Sequence, residues 1–304
     1  MNFNELSAAA VCYHPTSKEL TLLLKSLRLA VDNQADFCCY LINNNEIGNL
    51  WSEHEIEYSA KNRKFSGLPD INSGIKDENL GLLIELETWT RFDMAVHVIE
   101  GHGNLGYGKA HNLALGLTGK KFHLMLNTDV EIGKHALEAG IKALNLNPAS
   151  VLAAPYATNA QNVKINLCKR YPDILTLAVR GFGTRSIKKI FDARLAHYEY
   201  RGIDDLNRRQ DSTKITIASG CFMLCLTSVL KSCNGFDHRY FLYFEDFDLS
   251  MRIAKHGDLI YVPQMKIVHT GGNAASKNWR HIIRFLISSF YFFNTHGWRF
   301  IRRD

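Results

Sequence analysis

Three short stretches carry side chains whose type and spacing suit chemistry on a charged, oxygen-rich ligand. Asn127-Thr128-Asp129 follows the apolar run Phe122–Leu126. A carboxylate just past a strand offers the hard oxygen donors that Mg2+ or Mn2+ takes when it bridges a diphosphate. The same Asn-x-Asp order also makes an ordinary turn. Tyr243-Phe244-Glu245-Asp246-Phe247-Asp248-Leu249 sets three carboxylates within four positions at a helix start. Acids there cap the helix and complement its dipole, or one of them removes a proton from a hydroxyl, a role worth roughly 10² to 10⁴ in rate. Val268-His269-Thr270-Gly271-Gly272 follows the strand-like Met265-Lys266-Ile267. A lone histidine is more often structural than a ligand, and His269 gains interest only if the fold brings it to Asp129 at one ion.

A fourth stretch invites a different chemistry. Gly101-His102-Gly103-Asn104-Leu105-Gly106 matches the dinucleotide fingerprint between a strand and a helix. In a dinucleotide fold that turn belongs to the first strand, whereas here two strand-like runs precede it. Asp129 also sits two residues past Asn127, an arrangement better suited to a metal and phosphates than to a ribose. An oxidoreductase using Gly101–Gly106 is therefore kept as a rival reading, and a non-catalytic carbohydrate- or nucleotide-binding protein as a second.

The elements that must position these residues read as α/β. The apolar run Ala8–Tyr13 suggests a buried strand, broken by His14-Pro15. Thr16 and Glu19 have capping-box spacing, and Leu20, Leu23, Leu24, Leu27 and Val31 follow at helical spacing. A second strand, Phe37–Ile42, ends in Asn43-Asn44-Asn45. Strand, helix, strand opens a parallel sheet. Residues 46–93 read as an irregular or partly helical excursion. Beyond it come a strand over 94–99, a helix after Gly108, the strand before Asn127, a helix over 134–145 and a strand over 151–155. A polar, basic stretch over 157–211 includes Lys169-Arg170-Tyr171-Pro172. Strands over 215–218 and 222–226 follow, joined by Ser219-Gly220-Cys221, then a helix from Glu245 that Gly257 would stop.

Composition excludes several classes. Across 304 residues the hydrophobic fraction is 46% and the charged fraction 22%, as in ordinary globular chains. The net charge of +6 is too modest to argue for nucleic acid. Seven cysteines show neither zinc-pair spacing nor a disulfide framework, which suits a reducing cytoplasm. No signal peptide is expected from residues 1–6, nor a membrane span anywhere. The end of the chain is basic and aromatic: Trp279, Ile282, Ile283, Phe285, Leu286, Ile287 and Phe290–Phe293 alternate with Arg280, His281 and Arg284. Such a segment lies in a membrane interface or packs as a helix on the sheet, and both readings stand.

Taken in order, these segments resemble the inverting family 2 glycosyltransferases of the GT-A fold, most of all the bacterial rhamnosyltransferases of O-antigen and related polysaccharide assembly. The likeness rests on Tyr13-His14-Pro15, Asn104-Leu105-Gly106-Tyr107-Gly108 with Asn112, and Leu126-Asn127-Thr128-Asp129-Val130. It continues through Gly220-Cys221-Phe222-Met223-Leu224, Gly235-Phe236-Asp237, the 243–249 segment with Arg252, and His269.

The resemblance implies a Rossmann-like, mostly parallel sheet flanked by helices in residues 1–272. Within it 1–156 would form the nucleotide-binding half and 157–272 the acceptor half, with a helical tail over 273–304. It implies donor contacts from Tyr13, His14, Pro15, Asn43, Asn104, Gly106, Gly108, Asn112, Asn127 and Asp129. Mg2+ or Mn2+ would be held by Asp129 and His269. A sugar and acceptor pocket would be lined by Gly220, Cys221, Glu245 and Arg252, with Asp246 as general base. The donor implied is dTDP-β-L-rhamnose, with a UDP-sugar as the alternative. The acceptor is a glycan or a polyprenyl-diphosphate-linked sugar at the inner face of the cell membrane. Two departures from the family matter: Asn127 and Asn43-Asn44-Asn45 stand where many relatives carry an acid, which removes charge from the metal and nucleoside positions.

Overall fold

The computed structural model describes residues 3–32, 37–45, 50, 85–91, 94–203, 212–271 and 279–301. Its frame is one mixed sheet with helices on both faces. The chain begins β1 (Leu6–Cys12), α1 (Ser17–Ala30) and β2 (Cys38–Asn43). β3 (Glu85–Arg91), β4 (Met94–Glu100), α2 (Tyr107–Leu117), β5 (Phe122–Asn127) and β6 (Val130–Ile132) follow. Next come α3 (Ala136–Leu146), β7 (Ser150–Thr158), β8 (Lys164–Ile165), α4 (Ile174–Phe182), α5 (Arg185–Ile190) and α6 (Asp192–Tyr198). The last elements are β9 (Thr213–Ile215), β10 (Phe222–Leu226), α7 (Thr227–Ser232), α8 (Glu245–Ile253), β11 (Asp258–His269) and α9 (Trp279–His296).

The sheet order is β3-β4-β2-β1-β5-β10-β7-β11-β6, with β8 beside β7 and β9 beside β11. The run β4-β2-β1-β5 is parallel, and β10 enters antiparallel to both β5 and β7. The expected parallel sheet thus occupies the first half and becomes mixed beyond β5.

All seven residues of β1 are buried, as a central strand covered on both faces requires. Its alternate residues divide between two layers. Ala8, Ala10 and Cys12 meet the leucines of α1 and the apolar side of α3, whereas Ala9 and Val11 meet Ala110, Leu113 and Ala114 of α2. The small side chains let the helices approach closely. The α1 helix forms where the capping box stands: Thr16 Oγ1 accepts from Glu19 N at 3.2 Å, and Thr16 N donates to Glu19 at 2.7 Å. Leu20, Leu23, Leu24 and Leu27 are buried, each worth ~1.5–3 kcal/mol relative to exposure.

Three expectations change. Of the excursion over 46–93, residues 46–49, 51–84 and 92–93 lie outside the described residues. Its last part is not irregular: Glu85–Arg91 is an edge strand antiparallel to β4, and its Thr-Trp-Thr core suits a strand. Among its described residues the polar 157–211 stretch holds the helices α4, α5 and α6, two of them capped by side chains, Asp173 accepting from Thr176 N and Thr184 from Ile187 N. The terminal helix α9 packs on α8 and the turn before it, through Phe292 and Phe293, rather than lying on the sheet.

Candidate functional site

Topology alone brings the chemically active stretches to one edge. Cys12 pairs with Asn43, and Val11 with Asn127, so β1, β2 and β5 end together. The carboxyl ends of parallel strands are where α/β sheets bind ligands. Antiparallel β10 starts at this edge, Phe222 opposite Leu126, which delivers Gly220 and Cys221. His269, the last residue of β11, pairs with Val130 next to Asp129.

The first group at the edge is Asp129 with His269. Thr270 donates to the Asp129 carbonyl through its backbone N–H at 3.0 Å and its hydroxyl at 3.1 Å, which fixes the two chain segments together. His269 Nε2 stands 3.2 Å from Asp129 Oδ1, without the alignment of a hydrogen bond. Two ligands each ~2.1 Å from one cation, at a right angle, lie ~3 Å apart. An oxygen and a nitrogen donor at that separation fit a divalent ion. No cluster of three or more metal-ligating side chains occurs among the described residues, so substrate oxygens or water would complete the coordination.

The second group is Glu245 and Asp246, at the start of α8. The turn that aims them is strained: Tyr243 and Phe244 both have left-handed backbone, φ 71° and 61°. Bulky residues held there cost roughly 1–3 kcal/mol each and persist only where packing enforces them. Here Phe244 is gripped by Phe285 at 5.2 Å and Phe292 at 5.3 Å. Asp246 accepts the Gly220 N–H at 2.9 Å through Oδ2 and the Phe247 N–H at 2.9 Å through Oδ1. A side chain on Gly220 would press against Tyr107 and the Asp246 side chain itself.

Burial pushes the Asp246 carboxyl up, while those N–H donors and Lys169 pull it back. Glu245 is buried, pushed up first by desolvation and then by Asp246, and its Oε2 has no hydrogen-bond partner. The two carboxyls titrate as a pair, and the N–H groups on both Asp246 oxygens favour the charge there, whereas the unpartnered Oε2 of Glu245 favours its proton. Both line a cavity of about 280 Å³ with Lys169, Arg180, Tyr198, Ser219 and Phe285. A wider cavity of about 640 Å³, over β6, β7 and β11, lacks such a pair of acids.

Tyr107 joins the two groups. Its hydroxyl donates to the Gly220 carbonyl at 2.5 Å. Burial holds its pKa well above the ordinary tyrosine value, and Cys221, Glu245, Asp246 and Asp129 all add to the rise. Cys221 is likewise pushed up to about 12, by burial first, with Asp129 and Asp246 contributing. Both carboxylates therefore stand near the same two side chains.

Comparison with known proteins gives the family. The chain matches the family described as glycosyl transferase family 2 over residues 71–233, more than half its length. The chain belongs to glycosyl transferase family 2. It is 24% identical over 198 residues to an N-acetylglucosaminyl-diphospho-decaprenol L-rhamnosyltransferase of Mycobacterium tuberculosis strain CDC 1551, across 60% of this chain and 61% of the relative. It is 41% identical over 58 residues to the rhamnosyltransferase WbbL of Escherichia coli K12, across 19% of this chain and 22% of WbbL. The chain thus spans less than two thirds of these curated relatives. Among solved structures, the mannosyltransferase PcManGT of Pyrobaculum calidifontis, in complex with GDP-Man and Mn2+, aligns with TM-score 0.54 and 13% identity over 96% of this chain and 65% of that one. TarS 1–349 of S. aureus, in complex with UDP, aligns with TM-score 0.51 and 14% identity over 95% of this chain and 65% of that one. These likenesses give the GT-A fold.

Within this family 2 chain the remaining residues named from sequence divide. Tyr13, His14 and Pro15 follow β1, with the His14 N–H on Asn45 at 2.7 Å. Asn43 donates to Glu100 at 3.1 Å. Asn104 accepts from Gly106 N at 3.0 Å and shapes the turn before α2. That turn abuts Phe241, whose carbonyl takes the Tyr107 N–H at 3.1 Å. The helix start that a dinucleotide would use is therefore occupied.

Two residues prove to be struts. Asn112 spends its amide on Phe236, accepting from its N–H and donating to its carbonyl, each at 2.8 Å, instead of facing a nucleotide. Gly108 is the companion position, packed on the Phe236 side chain. Arg252 is not among the residues lining the cavity beside Asp246: it binds Asp248 at 2.7 Å and the carbonyl of Gly235 at 2.8 Å. One turn of helix beyond Asp248, it faces the protein interior.

Sequence reading missed Asn44, which is buried, accepts from Leu105 N at 2.9 Å and donates to Asn104 at 3.1 Å, tying β2 to the turn. The Asn43-Asn44-Asn45 run was the available signal. It also missed Lys169, which burial lowers to about 8 against the pull of Glu199. The basic start of the 157–211 stretch pointed there without saying that it returns to Asp246.

Proposed function

We propose that the chain is an inverting, metal-dependent glycosyltransferase that moves L-rhamnose from dTDP-β-L-rhamnose to a hydroxyl of a glycan or polyprenyl-diphosphate-linked sugar in bacterial surface polysaccharide synthesis. The observation that carries this reading is the meeting of two unlike acid groups at one sheet edge. One is a carboxylate–imidazole pair with cation spacing, and the other a carboxylate held only by backbone N–H groups beside a cavity. The rhamnosyl part rests on the low-identity relatives.

Asp129 and His269 would hold Mg2+ or Mn2+, which when bound supplies Lewis-acid stabilisation of a departing diphosphate. Asp246, ionised before Glu245, takes the proton of the acceptor hydroxyl. That oxygen attacks the anomeric carbon, the bond to the diphosphate oxygen breaks with its electron pair leaving on the nucleotide, and the configuration inverts to an α-L-rhamnoside. Protonated Glu245, with a free Oε2 on the cavity wall, orients the acceptor by hydrogen bonding. Residues 1–156 supply the donor side through Tyr13, Asn43 and Asn127, and residues 157–272 the acceptor side through Gly220, Cys221 and Glu245.

A donor-hydrolysis panel of dTDP-, UDP- and GDP-sugars with Mg2+, Mn2+ and EDTA tests the proposal. It predicts slow, EDTA-sensitive release of nucleoside diphosphate, fastest from dTDP-rhamnose. Preference for a UDP-sugar would remove the rhamnosyl part. Donor binding without any release would make the chain a binding protein, and absence of both would sink the reading.

A further inference from the structure

Helix α9 has two unlike faces. His281, Phe285, Ser288, Phe292 and His296 recur three or four residues apart and turn inward. His281 Nδ1 is 3.0 Å from the Tyr243 hydroxyl, Ser288 donates to the Leu242 carbonyl at 2.9 Å, and His296 Nε2 is 2.8 Å from Asp248. The opposite face repeats at the same spacing. Trp279, Ile282, Ile283, Leu286, Ile287 and Phe290 are exposed by 36% to 62%.

This outer strip does not stop with the helix. Trp298 packs edge-on to Phe290 at 6.0 Å, and Phe300 stacks on Trp298 at 6.0 Å, both exposed. The carbonyls of Arg299 and Phe300 then accept from Ile174 and Leu175 at the start of α4. Phe182 at the end of α4 and Ile187 and Ile190 of α5 are exposed as well. Single exposed apolar residues are ordinary, but a continuous strip marks a contact surface.

Charge selects the partner. Residues 279–301 contain Arg280, Arg284 and Arg299 and no acid, and residues 174–190 contain Arg180, Arg185, Lys188 and Lys189 and no acid. A second copy of the chain would set these like charges against each other, whereas an anionic lipid surface attracts the exposed Arg185, Lys189, Arg280, Arg284 and Arg299; Arg180 is paired with Glu199 at 3.2 Å. No described helix is long and apolar enough to cross a membrane, so the strip would lie along the interface. We propose that the outer face of α9, extended by Trp298 and Phe300, docks this protein on an anionic lipid bilayer. Phe285, on the inner face of the same helix, lines the Asp246 cavity, so docking sets the bilayer beside that cavity. Presenting a lipid-linked acceptor in this way rests on the proposed reaction; the docking itself does not.

Flotation with phosphatidylcholine vesicles, with and without phosphatidylglycerol, tests the docking. The intact chain should float with the anionic vesicles only and be released by salt. The double variant Ile283→Asp/Ile287→Asp should lose at least about tenfold in vesicle affinity, as expected when two side chains of that size leave an apolar phase. Its circular dichroism melt and donor hydrolysis should be unchanged, since neither residue touches the site. Arg280→Glu/Arg284→Glu should weaken flotation as well. An intact chain that never floats, or a double variant that floats as well as the intact chain, overturns the proposal. So does a dimer in sedimentation that the double variant abolishes while no flotation occurs. Flotation without donor hydrolysis would keep the docking and count against the reaction.

Discussion

The two sides of helix α8 carry aspartates that look alike in sequence and have opposite surroundings. On the inner side Asp248 is fully buried, with Arg252 Nε at 2.8 Å on one oxygen and His296 Nε2 at 2.8 Å on the other. Its charge is matched, and it joins α8 to α9. On the cleft side Asp246 has only backbone donors and a cavity before it. A carboxylate clamped by a guanidinium on one oxygen and an imidazole on the other has no edge open to a substrate hydroxyl. Asp246, held by backbone N–H groups at a cavity wall, keeps such an edge. The same helix turn thus separates a strut from a group able to accept a proton.

The largest stability effect expected from breaking this contrast is on the inner side. Arg252→Ala leaves Asp248 buried with half its partners, and should cost about 3–5 kcal/mol in a urea or thermal unfolding experiment. Activity per folded molecule should survive. If the variant is instead stable and inactive, Arg252 belongs to the acceptor cavity after all.

A smaller effect sharpens the cleft side. The folded-state pKa of Glu245 lies above its unfolded value, so its contribution to stability is complete at pH below the ordinary glutamate range. That contribution is lost as pH rises through the folded pKa. Each tenfold difference in proton affinity between the folded and unfolded chains is worth about 1.4 kcal/mol. Glu245→Gln should remove this decline, seen as melting temperatures that no longer fall with pH. Because Asp246 loses its proton first, the acidic limb of the rate profile should stay in place. A limb that moves strongly to lower pH would mean that Glu245 ionises first.

The frame of this molecule was more legible than its site. The Thr16–Glu19 capping box, the leucine spacing of α1 and the apolar runs of β1, β2 and β5 are local signals, and each element formed there. β6 and α7 are too short to show a period, and β11 runs through Pro263, which reads as a break in sequence. At the site, the residue types at 129, 246 and 269 were visible, but their pairing depends on β11 closing against β6, a contact between segments more than a hundred residues apart. The contacts of Arg252 and Asn112 with the Gly235–Phe236 backbone were hidden for the same reason: a polar side chain on a helix does not announce which of its faces turns inward. The strained Tyr243-Phe244 turn is stabilised by α9, so nothing local to it gave the aim of Asp246.

The most direct test of the account is Asp246→Asn, with donor binding measured by calorimetry and turnover by release of nucleoside diphosphate in the presence of acceptor. The amide keeps the size and the N–H contacts on one oxygen but cannot take a proton. An unchanged melting point, donor affinity close to that of the unaltered chain, and turnover lower by about 10² to 10⁴ are expected. A variant that binds donor and keeps most of its rate would contradict the account.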